Sequence, residues 1–299
     1  MNRVAQQPVK AFATALLAVA ALSIMDAVMK HLVIVIGIIA VSVWRSVGNL
    51  AISAVIYLPG RKRWPSRRTV RVHVIRGVIV TGLAFLFFWG IGRVPLAQAI
   101  ALTFVAPLAA LLLSAIFLKE DVGSRSILGS LVAFGGLLVI LFGQARMKVG
   151  PEVLLGTAAI LGSAICYAGN LVLMRHQALA AKPLEINFFQ SLTVMVLWLI
   201  LLPLIGLPQW PGSQWQWVAL AALLSTGGTL LYAWAYARGQ ASYLSVSEYS
   251  AFLWASLMGW LVFREHVSDY TLAGAALIVG GCLIAIRPKA PPPEIDVAA

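Results

Sequence analysis

Charged residues are scarce in this chain. Asp, Glu, Lys and Arg make up 11% of its 299 residues, against about 25% in an average soluble domain. Cysteine is scarcer still, since Cys166 and Cys282 are the only two and both fall within apolar stretches. Two isolated thiols and four histidines supply neither a disulfide framework nor the ligand spacing of a metal centre. The composition therefore excludes an ordinary soluble domain and a disulfide-stabilised one, and it predicts no bound metal.

Sequence motifs for nucleotide binding and for catalysis are also missing. The chain has no Walker A loop, no nucleophile elbow, no His/Cys/Asp cluster and no pair of intramembrane aspartates. We therefore expect no cofactor, no ATPase subunit and no enzymatic activity. A membrane-embedded enzyme acting on lipid-linked substrates is a distant alternative, because it needs a convergent nucleophile and base that the few His and Asp residues do not supply.

Hydrophobic residues dominate what is present, at 61% of the chain with a mean hydropathy of +0.92. Ten apolar segments each approach the ~20 residues that cross a bilayer core. Short loops and the lack of a period-2 alternation favour helices over a barrel. The sequence predicts an all-α integral membrane protein whose segments 1 to 10 lie near residues 11–31, 33–58, 72–91, 95–118, 126–143, 153–174, 184–207, 214–236, 240–263 and 268–286.

The formal net charge of +12 has an asymmetric distribution along the chain. If residues 1–10 are a cytoplasmic N-terminus, 16 of the 22 Lys and Arg residues lie on the cytoplasmic side and five lie on the opposite side. This is the positive-inside pattern of the cell membrane, and it accounts for the charge without a nucleic-acid partner. We expect a multi-pass inner-membrane protein with both termini cytoplasmic, ending in a disordered tail at residues 288–299.

An internal repeat appears when the chain is shifted by 145 residues. The shift aligns unusual residues that chance does not favour: Trp89 with Trp234, Arg93 with Arg238, Lys119-Glu120 with Arg264-Glu265, and Gly135-Gly136 with Gly280-Gly281. Each copy holds five segments, an odd number, so residues 11–146 and 147–287 must cross the membrane in opposite senses. Inverted repeats of this kind surround a central cavity with a midplane site and can open alternately to either side.

Several stretches resemble a known family, namely "MDAVMK" (25–30), "VWRS" (43–46), "RGVIVTG" (76–82), "ALTFVAPLAALLLSAIFLKE" (101–120) and "SEYSAFLWASLMGWLVFRE" (247–265). They are similar to the drug/metabolite transporter superfamily, in its ten-helix EamA-type branch, and most similar to aromatic amino-acid exporters of the YddG kind. The resemblance implies export of small metabolites through one central cavity, mostly without ATP, so aromatic or neutral amino acids are the expected substrates.

An importer or exchanger of a nucleotide-like or cofactor substrate is the main alternative. Such a substrate would need several cationic groups in the cavity, and we expect only Arg45 near mid-membrane.

Glu248 is the most informative polar residue, because an acid within an apolar helix is costly and usually functional. On a helical wheel it shares a face with the small residues Ala255, Ser256 and Gly259. Its repeat mate, the residue 145 positions earlier, is Thr103. Pro107 removes the amide that would bond the Thr103 carbonyl, so both positions would present a negative group to a substrate ammonium. A plain packing kink at Pro107 and a structural role for Glu248 stay open.

Other candidate residues follow from spacing. Asp26 and Lys30 are spaced for a local ion pair. Arg45 either pairs with Asp26 or Glu248 as a packing counter-ion or binds a substrate carboxylate. Ser163, Tyr167 and Asn170 form a polar stripe whose mates in segment 1 are apolar, Met25 among them. The predicted substrate-binding set is Glu248, Tyr249, Thr103, Tyr167, Asn170, Ser163, Trp89, Trp234 and Met25, with hinges at Pro107, Gly227 and Gly228. Protons are possible partners through Glu248, with facilitated diffusion as the alternative.

Overall fold

A computed structural model of the chain describes residues 8–61, 64–106, 109, 124–146, 150–236, 238 and 247–285. Within these residues the regular structure is helical. The helices are α1 Pro8–Tyr57, α2 Arg67–Ile91, α3 Leu96–Thr103, α4 Ser124–Arg146, α5 Pro151–Ala180, α6 Pro183–Ile205, α7 Trp215–Tyr236, α8 Ser250–Phe263 and α9 Asp269–Ala285, with a 3₁₀ turn at Gly212–Gln214.

Helix α1 contains two predicted segments and breaks at Gly37. This residue has φ 80° and ψ 158°, a conformation that glycine adopts because it has no Cβ. The break divides α1 into residues 8–36 and 38–57, so in the described part of the chain each of the ten predicted segments has its helix. The predicted boundary near residue 32 was wrong, because the apolar run continues through Leu32 to Ile36 and gives no sign of where the helix ends.

The surface of the described helices suits a lipid environment. Six apolar spans are long enough to cross a membrane, the longest being Val9–Tyr57. Large apolar side chains such as Val9, Leu204 and Leu253 are 75%, 82% and 69% exposed. Hydrocarbon tolerates such exposure, whereas water would penalise it by about 25 cal/mol per Å². Helices α3 and α8 are shorter because predicted segments 4 and 9 lie only partly within the described residues.

The two copies are related by a pseudo-twofold axis, as their packing contacts show. A Cβ built on Gly48 would lie 2.7 Å from the Ala222 Cβ, and one built on Gly77 would lie 2.6 Å from the Thr193 Cβ. Thr193 is the repeat mate of Gly48, and Ala222 is the repeat mate of Gly77. The same contact is therefore made twice, once between α1 and α7 and once between α6 and α2.

Helices α4 and α9 repeat this reciprocity more closely. A Cβ on Gly136 would meet the Gly274 carbonyl at 2.5 Å, and one on Gly281 would clash with the Gly129 carbonyl. Gly281 and Gly129 are the mates of Gly136 and Gly274, so the two contacts exchange under the repeat. Such isologous packing is what a twofold relation requires.

One aromatic contact marks the position of the axis. The rings of Phe104 and Tyr249 meet edge to face, with centroids 5.5 Å apart and an interplanar angle of 81°. Tyr249 is the repeat mate of Phe104. A residue can touch its own mate only near the axis that relates the copies, so this pair lies close to the pseudo-twofold axis. It stands where α3 has just ended and α8 is about to begin.

Candidate substrate site

Glu248 immediately precedes Tyr249, whose ring contacts Phe104 near the pseudo-twofold axis. Its carboxylate accepts a hydrogen bond from the Tyr232 hydroxyl on α7, and its side chain is half-buried. The helix is irregular here, because the Phe252 amide bonds the Tyr249 carbonyl at 3.3 Å and regular α8 begins only at Ser250. Glu248 therefore precedes an interrupted turn, whereas a continuous segment through residues 240–263 was predicted. The irregular turn directs the acid towards α7.

Arg76 supplies a positive charge that was not predicted. Its Nε donates to the Asn170 Oδ1 at 3.0 Å, which joins α2 to α5. Asn170 is 2% exposed, so the bond is made in the interior. Tyr167 lies one turn earlier on α5 and interacts electrostatically with both Arg76 and Glu248. Tyr167 is thus within electrostatic reach of both a guanidinium and a carboxylate.

These side chains form what we call the polar cluster: Arg76, Tyr167, Asn170, Tyr232 and Glu248. Their repeat mates are Ala221, Leu22, Met25, Phe87 and Thr103. Four of these five mates are apolar; Met25 is 7% exposed within the core, and Leu22 and Phe87 pack against that core. The cluster is therefore polar in one half of the molecule, and the equivalent places in the other half are apolar. This extends the asymmetry predicted for the stripe on segment 6.

Thr103 has a local role in the structure. Its hydroxyl donates to the Ile100 carbonyl at 2.7 Å. The next amides, of Phe104 and Val105, bond carbonyls three residues earlier at 3.2 and 3.3 Å, so α3 tightens as it ends. Pro107, the predicted hinge and the reason for expecting a free Thr103 carbonyl, lies outside the described residues. That carbonyl stays a prediction.

Trp89 and Trp234 have the same environment in both copies. The Arg93 guanidinium lies 3.6 Å from the Trp89 ring centroid, and that of Arg238 lies 4.3 Å from the Trp234 centroid. Each arginine also donates to the carbonyl of its tryptophan, at 3.0 and 3.3 Å. Cation–π pairs at helix ends explain why the repeat keeps both residues. Direct contact with substrate stays a prediction for these two indoles.

Ser163 and Gly228 serve helix packing. The Ser163 hydroxyl donates to the Leu83 carbonyl at 2.8 Å, between α5 and α2. The mirror contact lies between Ala18 on α1 and Gly228, where a Cβ on Gly228 would be 3.5 Å from the Ala18 carbonyl oxygen and 2.9 Å from the Leu22 side chain. Gly227 has open space around it, and α7 runs as one helix through both glycines. Flexing at the Gly227-Gly228 pair stays a prediction.

The predicted pair between Asp26 and Lys30 was wrong. The Lys30 ammonium binds the Glu265 carboxylate, which is 235 residues away in the chain. Asp26 instead interacts electrostatically with Arg45 on the second part of α1. The Arg45 guanidinium also lies 4.8 Å from the Phe88 ring centroid, and its buried Nε has no hydrogen-bond partner among the described residues. Of the two acids expected as partners of Arg45, Asp26 is the one that interacts electrostatically with it.

Sequence reasoning missed Arg76 and Glu265. Arg76 was counted with the basic loop that precedes it, and nothing in its spacing pointed to Asn170. Glu265 did carry a signal, because Arg264-Glu265 repeats Lys119-Glu120. In the described part of the chain, no three His, Cys, Asp or Glu side chains are grouped to hold a metal ion.

The comparisons with known proteins agree with this architecture. The EamA-like transporter family matches residues 9–142 and 154–287, one match for each copy. The chain is 28% identical to a riboflavin transporter of Vibrio cholerae over 77% of each chain. It is 27% identical to the pseudopaline exporter CntI of Pseudomonas aeruginosa, over 75% of this chain and 78% of the relative.

The crystal structure of another protein shares the fold. The TM-score is 0.58 at 24% sequence identity, and the match covers 93% of this chain and 97% of that chain. The two family matches together cover most of the sequence, and the reciprocal contacts relate the same two copies in space. The protein is thus a multi-pass membrane transporter that belongs to the EamA-like transporter family.

Proposed function

We propose that this transporter exports a small zwitterionic metabolite, an amino acid with an aromatic or other neutral side chain. The observation that carries this proposal is the arrangement of charge in the polar cluster. Arg76 and Asn170 offer hydrogen-bond donors to a carboxylate, and Glu248 with Tyr232 offers acceptors to an ammonium. A substrate carrying both groups would satisfy both ends at once, and in a poorly hydrated site such charged hydrogen bonds are the strong ones.

The repeat mates of the cluster support a neutral or aromatic side chain. Leu22, Met25 and Phe87 are apolar, and the axial pair of Phe104 and Tyr249 adds two aromatic rings. An aromatic substrate gains both apolar burial and edge-to-face contacts from such residues. A substrate with a charged side chain would lose hydration there without finding a partner.

Alternating access would follow from exchange of the two copies between equivalent conformations. Segments 3 and 4 would rock against segments 8 and 9, with flexing at Pro107 and at the Gly227-Gly228 pair. The bias of Lys and Arg supports cytoplasmic termini and an inner-membrane location. Proton antiport through Glu248 and facilitated diffusion are the two possible energy sources.

A second candidate is transport of a nucleotide-like or cofactor substrate. Two observations favour keeping it: one relative is named a riboflavin transporter, and Arg76 adds an interior cation that the sequence reading did not count. The two candidates differ in the ammonium group, since riboflavin-like molecules have none for Glu248 to bind.

The test is a flux assay in proteoliposomes, with and without a pH gradient. Labelled Trp, Phe, Met and Thr are compared with riboflavin, and tryptamine and indole-3-propionate compete as analogues that lack the carboxylate or the ammonium. We expect the amino acids to be transported and each analogue to compete weakly. Strong riboflavin flux without amino-acid flux would sink the proposal.

Variants of the cluster sharpen the assay. Arg76→Gln should lower kcat/KM for tryptophan about 10-fold or more, because a hydrogen bond to a charged group contributes about 1.5–3 kcal/mol. Arg71→Gln is the matched control, since Arg71 is an exposed arginine on the same helix. If Glu248→Gln changes neither the flux nor its response to the pH gradient, Glu248 is structural.

A further inference from the structure

Lys30 and Glu265 form an ion pair where three parts of the fold meet, with the Lys30 side chain buried and that of Glu265 partly buried. Lys30 is on the first part of α1 and is 4% exposed, while Glu265 follows α8. The Lys30 Nζ also donates to the Val94 carbonyl at 2.8 Å, and the other Glu265 oxygen accepts the Leu96 amide at 2.8 Å. One charge pair thus binds α1, the α2–α3 connection and the α8–α9 connection together.

The backbone around Glu265 is shaped to present this carboxylate. Helix α8 ends at Arg264, which has the left-handed φ of 57°, and the Glu265 amide returns to the Gly259 carbonyl at 3.0 Å. A Cβ on Gly259 would lie 3.0 Å from the Glu265 Oε2, so a larger residue there would crowd the carboxylate. A side chain in αL costs about 1 kcal/mol or more and persists only where the surroundings demand it.

A small cavity lies against the pair. It has a volume of about 60 Å³ and is lined by Gln98, Ser256, Glu265 and His266 among others. Gln98 is 8% exposed, and its Nε2 has no hydrogen-bond partner in the described part of the chain. A water molecule needs about 10–15 Å³ of such space, so the cavity has room for water, and the unsatisfied amide offers it a hydrogen-bond donor. Such a cavity can hydrate Glu265 when Lys30 leaves it, which lowers the cost of separating two buried charges.

We propose that the Lys30–Glu265 pair is a latch that closes one end of the transport pathway and breaks in each transport cycle. The pair joins the first copy to the second, so the two copies cannot separate at this end while it is intact. An ion pair with a hydratable partner has two discrete states, which an alternating-access transition requires. The proposal requires only that the protein is a transporter, and it does not depend on which substrate is transported.

The proposed latch predicts the reactivity of a cysteine introduced at a buried position near the cavity. Ala255 is 1% exposed on α8, next to Ser256 in the cavity wall. In a background with Cys166→Ala and Cys282→Ala, Ala255→Cys should react slowly with a maleimide in nanodiscs, because the closed latch shields it. Glu265→Gln should speed this labelling by about tenfold, the factor that a loss of 1.4 kcal/mol from the closed state produces.

Two controls separate the latch from general damage. Glu152→Gln breaks the Arg93–Glu152 pair, whose side chains are 29% and 69% exposed, and it should leave the labelling rate unchanged. Ala164→Cys on α5, which is 2% exposed, reports loosening elsewhere and should stay unreactive. An equal acceleration at both reporter thiols would mean general unfolding and would count against the latch.

Glu265→Gln leaves the buried Lys30 ammonium without its partner, which could prevent folding, so a double variant is tested as well. Lys30→Met with Glu265→Gln removes both charges, so no buried ion lacks its partner. It should also accelerate labelling at Ala255→Cys by about tenfold. If the double variant folds and labels as slowly as the parent, the pair is a permanent structural link and the latch is refuted. Because this readout needs no substrate, it can fail while the amino-acid proposal holds.

Discussion

The glycine pairs of α4 and α9 give a quantitative test of the twofold packing. Gly136 and Gly281 lie in the contact between these helices, where a Cβ on Gly136 would come within 2.5 Å of the Gly274 carbonyl and one on Gly281 within 2.7 Å of the Ala133 amide nitrogen. Their immediate neighbours Gly135 and Gly280 have nothing within 4 Å. Each helix therefore carries one crowded and one open glycine, side by side and in the same order.

Alanine substitution separates the packing contribution from helix propensity. Replacing any of the four glycines gains up to about 1 kcal/mol of helix propensity, and this gain cancels when neighbours are compared. The clash remains, and overpacking against a backbone that cannot yield costs about 1–3 kcal/mol. Gly136→Ala and Gly281→Ala should each be less stable than Gly135→Ala and Gly280→Ala by that amount.

Thermal unfolding in detergent, followed by intrinsic tryptophan fluorescence, measures the difference. At roughly 2–4 °C per kcal/mol, the crowded variants should melt about 2–12 °C below their open neighbours. The two crowded variants should also resemble each other, because the repeat exchanges their contacts. If all four melt together, or if the open pair is the less stable, the twofold packing of α4 on α9 is wrong.

Three further substitutions test individual contacts. Tyr232→Phe removes the hydroxyl that donates to Glu248. We expect KM for the transported amino acid to rise about 3- to 10-fold, because one hydrogen bond contributes ~1 kcal/mol, while the protein yield stays unchanged. An unchanged KM would show that Tyr232 is not part of the site. Trp89→Phe keeps an aromatic ring against Arg93, so KM should stay within twofold in the same assay if the indole serves only this pair, and a tenfold rise would support the predicted contact with substrate. Glu185→Gln removes the negative charge from the 3.3 Å contact with buried His73 and should lower the melting temperature by roughly 2–12 °C, from about 1–3 kcal/mol. Equal melting would show that this charge is energetically neutral.

The sequence predicted those parts of the fold that repeat. The number of segments, the two copies and the polar stripe on segment 6 can all be predicted from regular spacings along the sequence. The shift of 145 residues also aligned glycines that proved to be in reciprocal contact. Symmetry makes such contacts predictable, because any contact between copies must occur twice.

Contacts without a repeat signature could not be predicted. Spacing favoured Asp26 as the partner of Lys30, but Glu265 reaches the same ammonium from a distant connection. Lys30 pairs with Glu265 instead of Asp26 because the fold brings the α8–α9 connection against the end of segment 1. Arg76 lies within predicted segment 3 but was counted with the basic loop before it, and its bond to Asn170 has no signal in the spacing of the two residues.

The position of Phe104 and Tyr249 on the pseudo-twofold axis has a consequence for the direction of transport. When the copies exchange conformations, each ring takes the place of the other. A ligand that contacts both rings therefore contacts the same two rings in both conformations. A contact that is equal in two states cannot shift the population between them. The axial rings can therefore strengthen affinity but cannot bias the cycle. Any preference for outward movement must come from groups that differ between the copies, such as Glu248 against Thr103 or the hydroxyl that Tyr249 has and Phe104 lacks.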